Sequence, residues 1–403
     1  MRVPDLIHLE QQVNERLLSD PRPRLPPFLI PEIGRWQSLT WIRAPTEQIQ
    51  ILCDDPAESH AWRSAVAGPA ESVLFPIHPL LEPLCDHEAC LKSGHFTVSA
   101  SYRTVFFEPD GKAALNECVP EDCLTMIKLH LDEPLPGIPG DRRLTADKIR
   151  KCVQLSSAIC KALSATHLRH SLTVLRERMG MIYGQRGALF RCVPRRGVLP
   201  LFALYSRDLT DKSSPPLLLG ELERRGFGAH QAAACFGEII AEPLLRGLFA
   251  GLDQGFALEM HGQNTLVSIG ADSLINRVFF RDLEGVQFFP KWRAARGHPP
   301  LALDLDNPEL QPRPATPHRW YNRNVDHDIG RTLRNCLAVL QRAGYFSRHD
   351  ASVAIRSCRA AHRRVVREFD LCSIDRAGHW LPFSRAPFGS GLRPGGYFRT
   401  QFR

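Results

Sequence analysis

LEMHGQNTLVSIGADSLINRVFFRDLEG, residues 258 to 285, is the stretch on which the reading turns. Glu259, His261, Gln263 and Asn264 fall within six residues, and Arg281 and Asp282 return after a mostly apolar interval. Asn264-Thr-Leu-Val-Ser-Ile and Arg277-Val-Phe-Phe predict two strands, joined at Gly270-Ala-Asp-Ser. Strand alternation puts Glu259, His261 and Gln263 on one face and Met260 and Asn264 on the other. Pairing of the strands brings Asp282 back to the mouth of the hairpin. An amide, an imidazole and two carboxylates converging there can hold a hard divalent cation beside a polyphosphate.

Three upstream segments add to this pattern in a fixed order: Phe75-Pro-Ile-His-Pro-Leu, Ser101-Tyr-Arg-Thr104, and Met126-Ile-Lys-Leu-His-Leu131 followed by Arg142-Arg-Leu144. Together with E-M-H-x-Q-N and R-D-x-x-G they resemble the IucA/IucC family, the siderophore synthetases that work independently of nonribosomal peptide synthetases. The first block is similar to the family's P-[VI]-H-P-W-Q, keeping His78 and Pro79 but carrying Leu80-Leu81 for Trp-Gln. The second is similar to its S-x-R-T nucleotide loop, and the third to its K-L strand and following arginine. Arg142 and Arg143 compete for that arginine, and Leu144 favours Arg143. Gly137-Ile-Pro-Gly stands where the family has a Thr-Ser pair, and Cys192 follows Arg191 where it has an acid.

The resemblance implies an α+β, cupped-hand architecture. A short N-terminal segment (1–70) would lead into a strand-rich fingers domain (71–200) and a larger, mainly helical palm (201–403). Residues 1 to 70 contain no match to the family's G-H-P-x-H-P motif, so a shortened first domain is expected. The implied chemistry is ATP-dependent: a carboxylate such as citrate or a citryl or succinyl derivative is adenylated, and an amine or hydroxyl then displaces AMP. The resemblance assigns Ser101, Arg103, Thr104, Lys128, Arg143, His261, Gln263 and Asp282 to the nucleotide. It gives His78 and Arg319 to the substrate, and Glu259, Asn264 and Asp282 to Mg²⁺. His261, Arg103 and Lys128 are the expected catalytic groups. The competing expectation is a catalytically impaired homologue serving as a nucleotide- or carboxylate-binding partner subunit.

Each of these residues also has an ordinary reading. Lys128 in an apolar strand, sharing a face with Met126 and His130, can be a snorkelling lysine. His261 can be a hydrogen-bonded core histidine, Asp282 a turn residue before Gly285, and Arg319 a structural arginine stacked on Trp320. His327-Asp328 resembles a metal pair but lacks companions at helical spacing. Cys85-Asp-His-Glu-Ala-Cys90 lacks a second cluster to complete a zinc site.

Composition is that of a globular chain: 403 residues, 43% hydrophobic and 23% charged, with a net charge of +8 from 51 basic against 43 acidic residues. That excess suits anionic small molecules, since guanidinium forks grip phosphate and carboxylate bidentately. The basic run from Arg356 to Arg367 has no aromatic platform and reads as a solvated helix face, so no nucleic-acid partner is expected. Twelve scattered cysteines without a CxxC pair read as reduced thiols. With no signal pattern or membrane-length apolar run, a cytoplasmic protein is expected, possibly a homodimer.

Periodicity predicts an amphipathic helix over 4–19, strands near 72–75, 96–99, 104–107 and 125–131, and a helix from Thr145 to about Arg178. A strand pair is predicted over 184–205 and helices over 231–252, 327–344 and 349–368. An irregular tail is expected from 382 to 403.

Overall fold

Alternation of apolar side chains produces a large antiparallel sheet in the computed structural model, which describes residues 5–13, 29–31, 35–84, 90–101, 103–110, 118–132, 142–211, 213–270, 273–310, 320–321 and 323–369, and the backbone of 372–374 and 380–382. Its strands are β1 (Gln37–Pro45), β2 (Ile49–Cys53), β3 (Ser72–Pro76), β4 (Cys90–Val98), β5 (Thr104–Glu108) and β6 (Cys123–Leu129). After the two-residue β7 (Thr173–Val174), which joins another sheet, come β8 (Glu177–Tyr183) and β9 (Arg186–Pro194). The order across the large sheet is β2-β8-β9-β6-β5-β4-β1-β3. Two of its strands come from residues 37–53, ahead of position 71 where the strand-rich unit was expected to begin.

Both faces of this sheet are covered. Val105, Phe107, Ile127, Leu129, Phe190 and the helical Trp62 form one core. The intervening residues Phe106, Leu124, Met126 and Val193 form another on the opposite face. Leu189 lies on that second face too, and joins the larger core of the C-terminal half. Strand periodicity therefore places Lys128 and Arg191 on the face toward the C-terminal half.

The helix Ala146–Ser164 lies across this second face. Thr145 caps it, accepting a hydrogen bond from the Lys148 amide at 3.4 Å. Gly180 and Gly187 admit the helix, since a Cβ on either would meet Ile149 at 2.4 and 2.6 Å. The helix ends fourteen residues short of Arg178. Thr166 starts a short 3-10 turn, and Met179 and Met181 alternate into the sheet core instead. The strand pair predicted over 184–205 accordingly sits earlier, as β8 and β9 turning at Gly184 with φ +57°.

A smaller sheet orders β10 (Leu199–Pro200), β12 (Thr265–Ile269), β13 (Ile275–Phe280) and β7, β11 (Phe256–Ala257) pairing elsewhere. Around it pack the helices Glu242–Asp253, Gly330–Arg342 and Arg348–Phe369. The helix predicted over 231–252 contains a π-helical turn at Gly237–Ala241. There Gly237 touches Ser357, whose carbonyl oxygen would lie 2.2 Å from an added Cβ. The helix predicted over 327–344 begins with a π-helical turn, Arg323–Ile329. The N-terminal helix spans Leu6–Gln12 among the described residues, and residues 14–20 and most of the 382–403 tail lie outside them. The described cysteines are free. Among the described residues no helix is long and apolar enough to cross a membrane.

Candidate active site

The two halves meet at the turn Asp282-Leu283-Glu284, where basic side chains from three elements converge. Lys128 on β6 is 3% exposed and reaches both carboxylates, contacting Asp282 Oδ1 and lying 2.9 Å from Glu284 Oε2. Arg103, in the turn before β5, bonds Glu284 Oε2 at 2.5 Å. Its other nitrogen donates to the Arg142 carbonyl at 2.6 Å. The first turns of helix Ala146–Ser164 add Lys148, 3.3 Å from Glu284 Oε1, and Lys151, which donates to the Glu284 carbonyl at 2.8 Å. Four cationic side chains thus enclose two carboxylates. Beside them, Arg191 and Glu177 form a fully buried ion pair, and Glu177 also accepts from the Leu283 amide at 3.4 Å.

This charge arrangement fixes protonation. Burial by itself would push both carboxyls up. Lys128 and Arg191 reverse this for Asp282 and hold it far below the ordinary carboxylate range. Lys128 and Arg103 likewise bring Glu284 down to about 2, against repulsion from Asp282. Asp282 adopts a left-handed backbone at φ 77°, a conformation that aspartate tolerates better than most residues.

The signature residues Glu259 to Asn264 are not a strand. They form a loop and turn in which the His261 carbonyl accepts from the amides of Asn264 and Thr265, both at 3.1 Å. Alternating faces therefore do not apply to Glu259, His261 and Gln263; β12 begins only at Thr265. The expected hairpin is present beyond it, with Thr265 opposite Phe280. The Arg281 amide bonds the Asn264 carbonyl at 2.9 Å, which returns Asp282 to the hairpin's mouth. The Arg281 guanidinium grips the Gln263 carbonyl at 2.9 and 3.1 Å and pairs with buried Glu10 of the N-terminal helix at 2.5 Å. Gly285 packs against the Glu259 carboxylate: a Cβ there would sit 2.3 Å from Oε2 and push that side chain aside.

Arg103, Lys128 and Asp282 are thus brought together, with Thr104 paired to Lys128 across the strands. Ser101 lies in the turn that presents Arg103, its carbonyl accepting from the Thr104 amide at 3.2 Å. Arg143 is exposed, and its carbonyl accepts from Lys148 at 2.9 Å, whereas half-buried Arg142 supplies the carbonyl that holds Arg103. His78 is buried after β3, at the sheet edge four strands from β6. Arg319 lies outside the described residues, as does the segment 85–89. Glu284, Lys148 and Lys151 were not singled out from sequence. Their signals were the acid inside R-D-L-E-G and an i, i+3 lysine pair at a capped helix start.

Glu259 pairs with Arg323 at 3.0 Å, and burial raises its carboxyl, with Asp328 and Asp282 adding to the rise. Among the described residues no three His, Cys, Asp or Glu side chains form a metal cluster. Glu259 lies near enough to Asp282 to feel its charge, and two carboxylates so placed could hold a Mg²⁺ that keeps the nucleotide's own phosphates as ligands. They do not suit an all-protein cage.

Over most of its length the chain has the fold of the IucA/IucC synthetases. More particularly, aerobactin synthetase IucC from a hypervirulent pathotype of Klebsiella pneumoniae matches 95% of this chain and 75% of its own, with a TM-score of 0.65 at 15% identity. ATP-bound aerobactin synthetase IucA from the same source matches 91% of this chain and 70% of its own, at 0.64 and 17%. Petrobactin biosynthesis protein AsbB from Bacillus anthracis str. Sterne matches 92% and 70%, at 0.60 and 14%. Residues 238–370 match the family model described as ferric iron reductase FhuF-like transporter. No curated protein matches the chain.

Proposed function

We propose that the protein is an ATP-dependent siderophore synthetase that adenylates a carboxylate, citrate or a citryl or succinyl derivative, and condenses it with an amine or hydroxyl. The observation that carries this is the enclosure of the Asp282–Glu284 turn by Arg103, Lys128, Lys148 and Lys151. Four buried or half-buried cations at one point suit a polyphosphate far better than a neutral ligand. ATP would displace Glu284 as their counter-charge, and Arg103 and Lys128 would spread positive charge over the phosphates as pyrophosphate leaves. Mg²⁺ on Asp282, Glu259 and Asn264 would supply further neutralisation of phosphate charge. His261, fixed by its turn, would orient the carboxylate. In the second step the amine lone pair forms the C–N bond and the acyl carbon–oxygen bond breaks. AMP leaves with that electron pair, and the amine proton passes to solvent. We place the reaction in the cytoplasm, with a domain boundary at 201 and a homodimer as the expected assembly.

The test is pyrophosphate release from ATP and Mg²⁺ with a panel of polycarboxylates, with and without hydroxylamine. Carboxylate-dependent release is expected, abolished in Arg103→Ala and in His261→Ala. Silence across the panel with ATP still bound would leave a nucleotide-binding partner subunit instead.

A further inference from the structure

We propose that the helix Arg348–Phe369 is a docking surface for an anionic membrane leaflet, which the protein meets side-on and without inserting. The inference does not depend on the synthetase reading. This helix carries six arginines against two acids in 22 residues, a surplus of four that is half of the chain's net charge of +8. Its apolar face is used up inside the molecule, where Ala354, Ile355, Cys358, Val365 and Phe369 join the large core. Ser357 closes that packing, donating to the Ala234 carbonyl at 2.6 Å and accepting from the Gly237 amide at 3.0 Å. A helix that inserts into lipid needs its apolar face free, so only the charged side is left to act.

That charged side is ordered. Arg348, Arg356, Arg359, Arg363 and Arg367 follow one another at eight, three, four and four residues, steps that keep them in a single row along the helix. At 1.5 Å per residue the row is about 28 Å long. Four of the five are exposed and Arg359 is half-buried. None of them makes an ion pair among the described residues. The acids that could neutralise the row are engaged elsewhere. Glu368 holds Arg246, and Asp350 accepts from the Ser347 hydroxyl at 2.6 Å and lies 3.8 Å from His230. The sixth arginine, Arg364, is held by Glu242 at 2.6 Å. Positions 370–403 bring no relief, with five arginines against two aspartates.

A row of guanidiniums this long is matched in charge only by an extended anion. Two features favour a lipid leaflet over a nucleic acid. The row is straight and one side chain wide, so all five groups can meet a plane together, and basic clusters of this size on a helix are what anionic headgroups attract. The helix also offers no ring on which a base could stack, because Phe369, its one Phe, Tyr or Trp, is buried.

Co-sedimentation of the full chain with vesicles tests the surface, using phosphatidylcholine alone and phosphatidylcholine with about one-third phosphatidylglycerol. The chain is expected to pellet with the anionic vesicles at low salt, and to stay in solution at roughly 0.5 M salt, where screening shortens the reach of charge to a few ångströms. Each arginine at such a surface is worth about fivefold in partitioning. Replacing Arg356, Arg359 and Arg363 together by Gln should therefore weaken binding about a hundredfold, with unfolding midpoint and ATP affinity unchanged. Arg363→Gln alone, expected to weaken it about fivefold, decides the matter should the triple variant not fold. Equal partitioning onto neutral vesicles would overturn the proposal, as would anionic partitioning that these substitutions leave intact. Binding of a short DNA duplex by a chain that anionic vesicles leave in solution would overturn it in favour of nucleic acid.

Discussion

Lys128 is one of the residues that tie the two halves together. It is 3% exposed and meets two carboxylates from the opposite half of the chain. Removing one member of a buried ion pair leaves its partner uncompensated, at a cost of about 3 kcal/mol or more. Lys128→Met should therefore lower stability by that order in urea unfolding as well as abolish adenylation. Asp282→Asn tests the charge alone, because asparagine also tolerates the left-handed backbone at φ 77°. The pH dependence has a definite sign. Asp282 and Glu284 have folded-state values below their unfolded ones, Glu284 near 2 against 4.5. Their contribution is complete above about pH 4.5; the Glu284 part is lost as pH falls through about 2, and the Asp282 part persists to still lower pH. Denaturant unfolding across that window should show the loss, and Glu284→Gln should flatten the slope.

At the scale of elements, the helix Ala146–Ser164 carries Lys148 and Lys151 to the site, and two glycines set how close it comes. Gly180→Ala places a methyl group 2.4 Å from Ile149. Overpacking of this kind costs roughly 1–3 kcal/mol. We expect a lower melting midpoint together with weaker ATP binding, because the helix must lift. A drop in stability with unchanged ATP affinity would show that the lysines do not depend on this contact. The same helix shows what sequence could reveal. Thr145 as its cap and the strands around Phe106 and Met126 were legible, because capping and alternation are local. Its end at Ser164 was not, since Leu172-Thr-Val-Leu fits a helix as readily as a strand until its sheet partner at Phe279–Phe280 is known. The strand reading of Glu259 to Gln263 failed for a related reason. The His261 carbonyl closes a turn there, and turn hydrogen bonds leave little trace in hydrophobic pattern. Arg103, Lys128 and Asp282 were found through motif resemblance, whereas Glu284 and the helix lysines become visible only when three distant segments meet.

For the whole molecule, the N-terminal helix acts as a fastening between sheet and hairpin. Glu10 pairs with Arg281 at 2.5 Å and accepts from the Ala100 amide at 2.9 Å, while Gln11 bonds Thr97 and the Val98 carbonyl, both at 2.8 Å. Glu10→Ala strands Arg281 without its counter-charge and should cost about 3 kcal/mol in denaturant unfolding. Because the Arg281 guanidinium also fixes the Gln263 carbonyl, nucleotide affinity should fall too. The tethered pair Asp282 and Glu284 has a consequence of another kind for the ligands that the molecule admits. Carried on the chain itself, these carboxylates compete with incoming anions at a high, constant local concentration. On this reading chloride or orthophosphate would bring too little charge to displace Glu284, whereas a triphosphate would bring enough. The site would then sort anions by valence, so tripolyphosphate should compete with ATP binding at concentrations where orthophosphate has no effect.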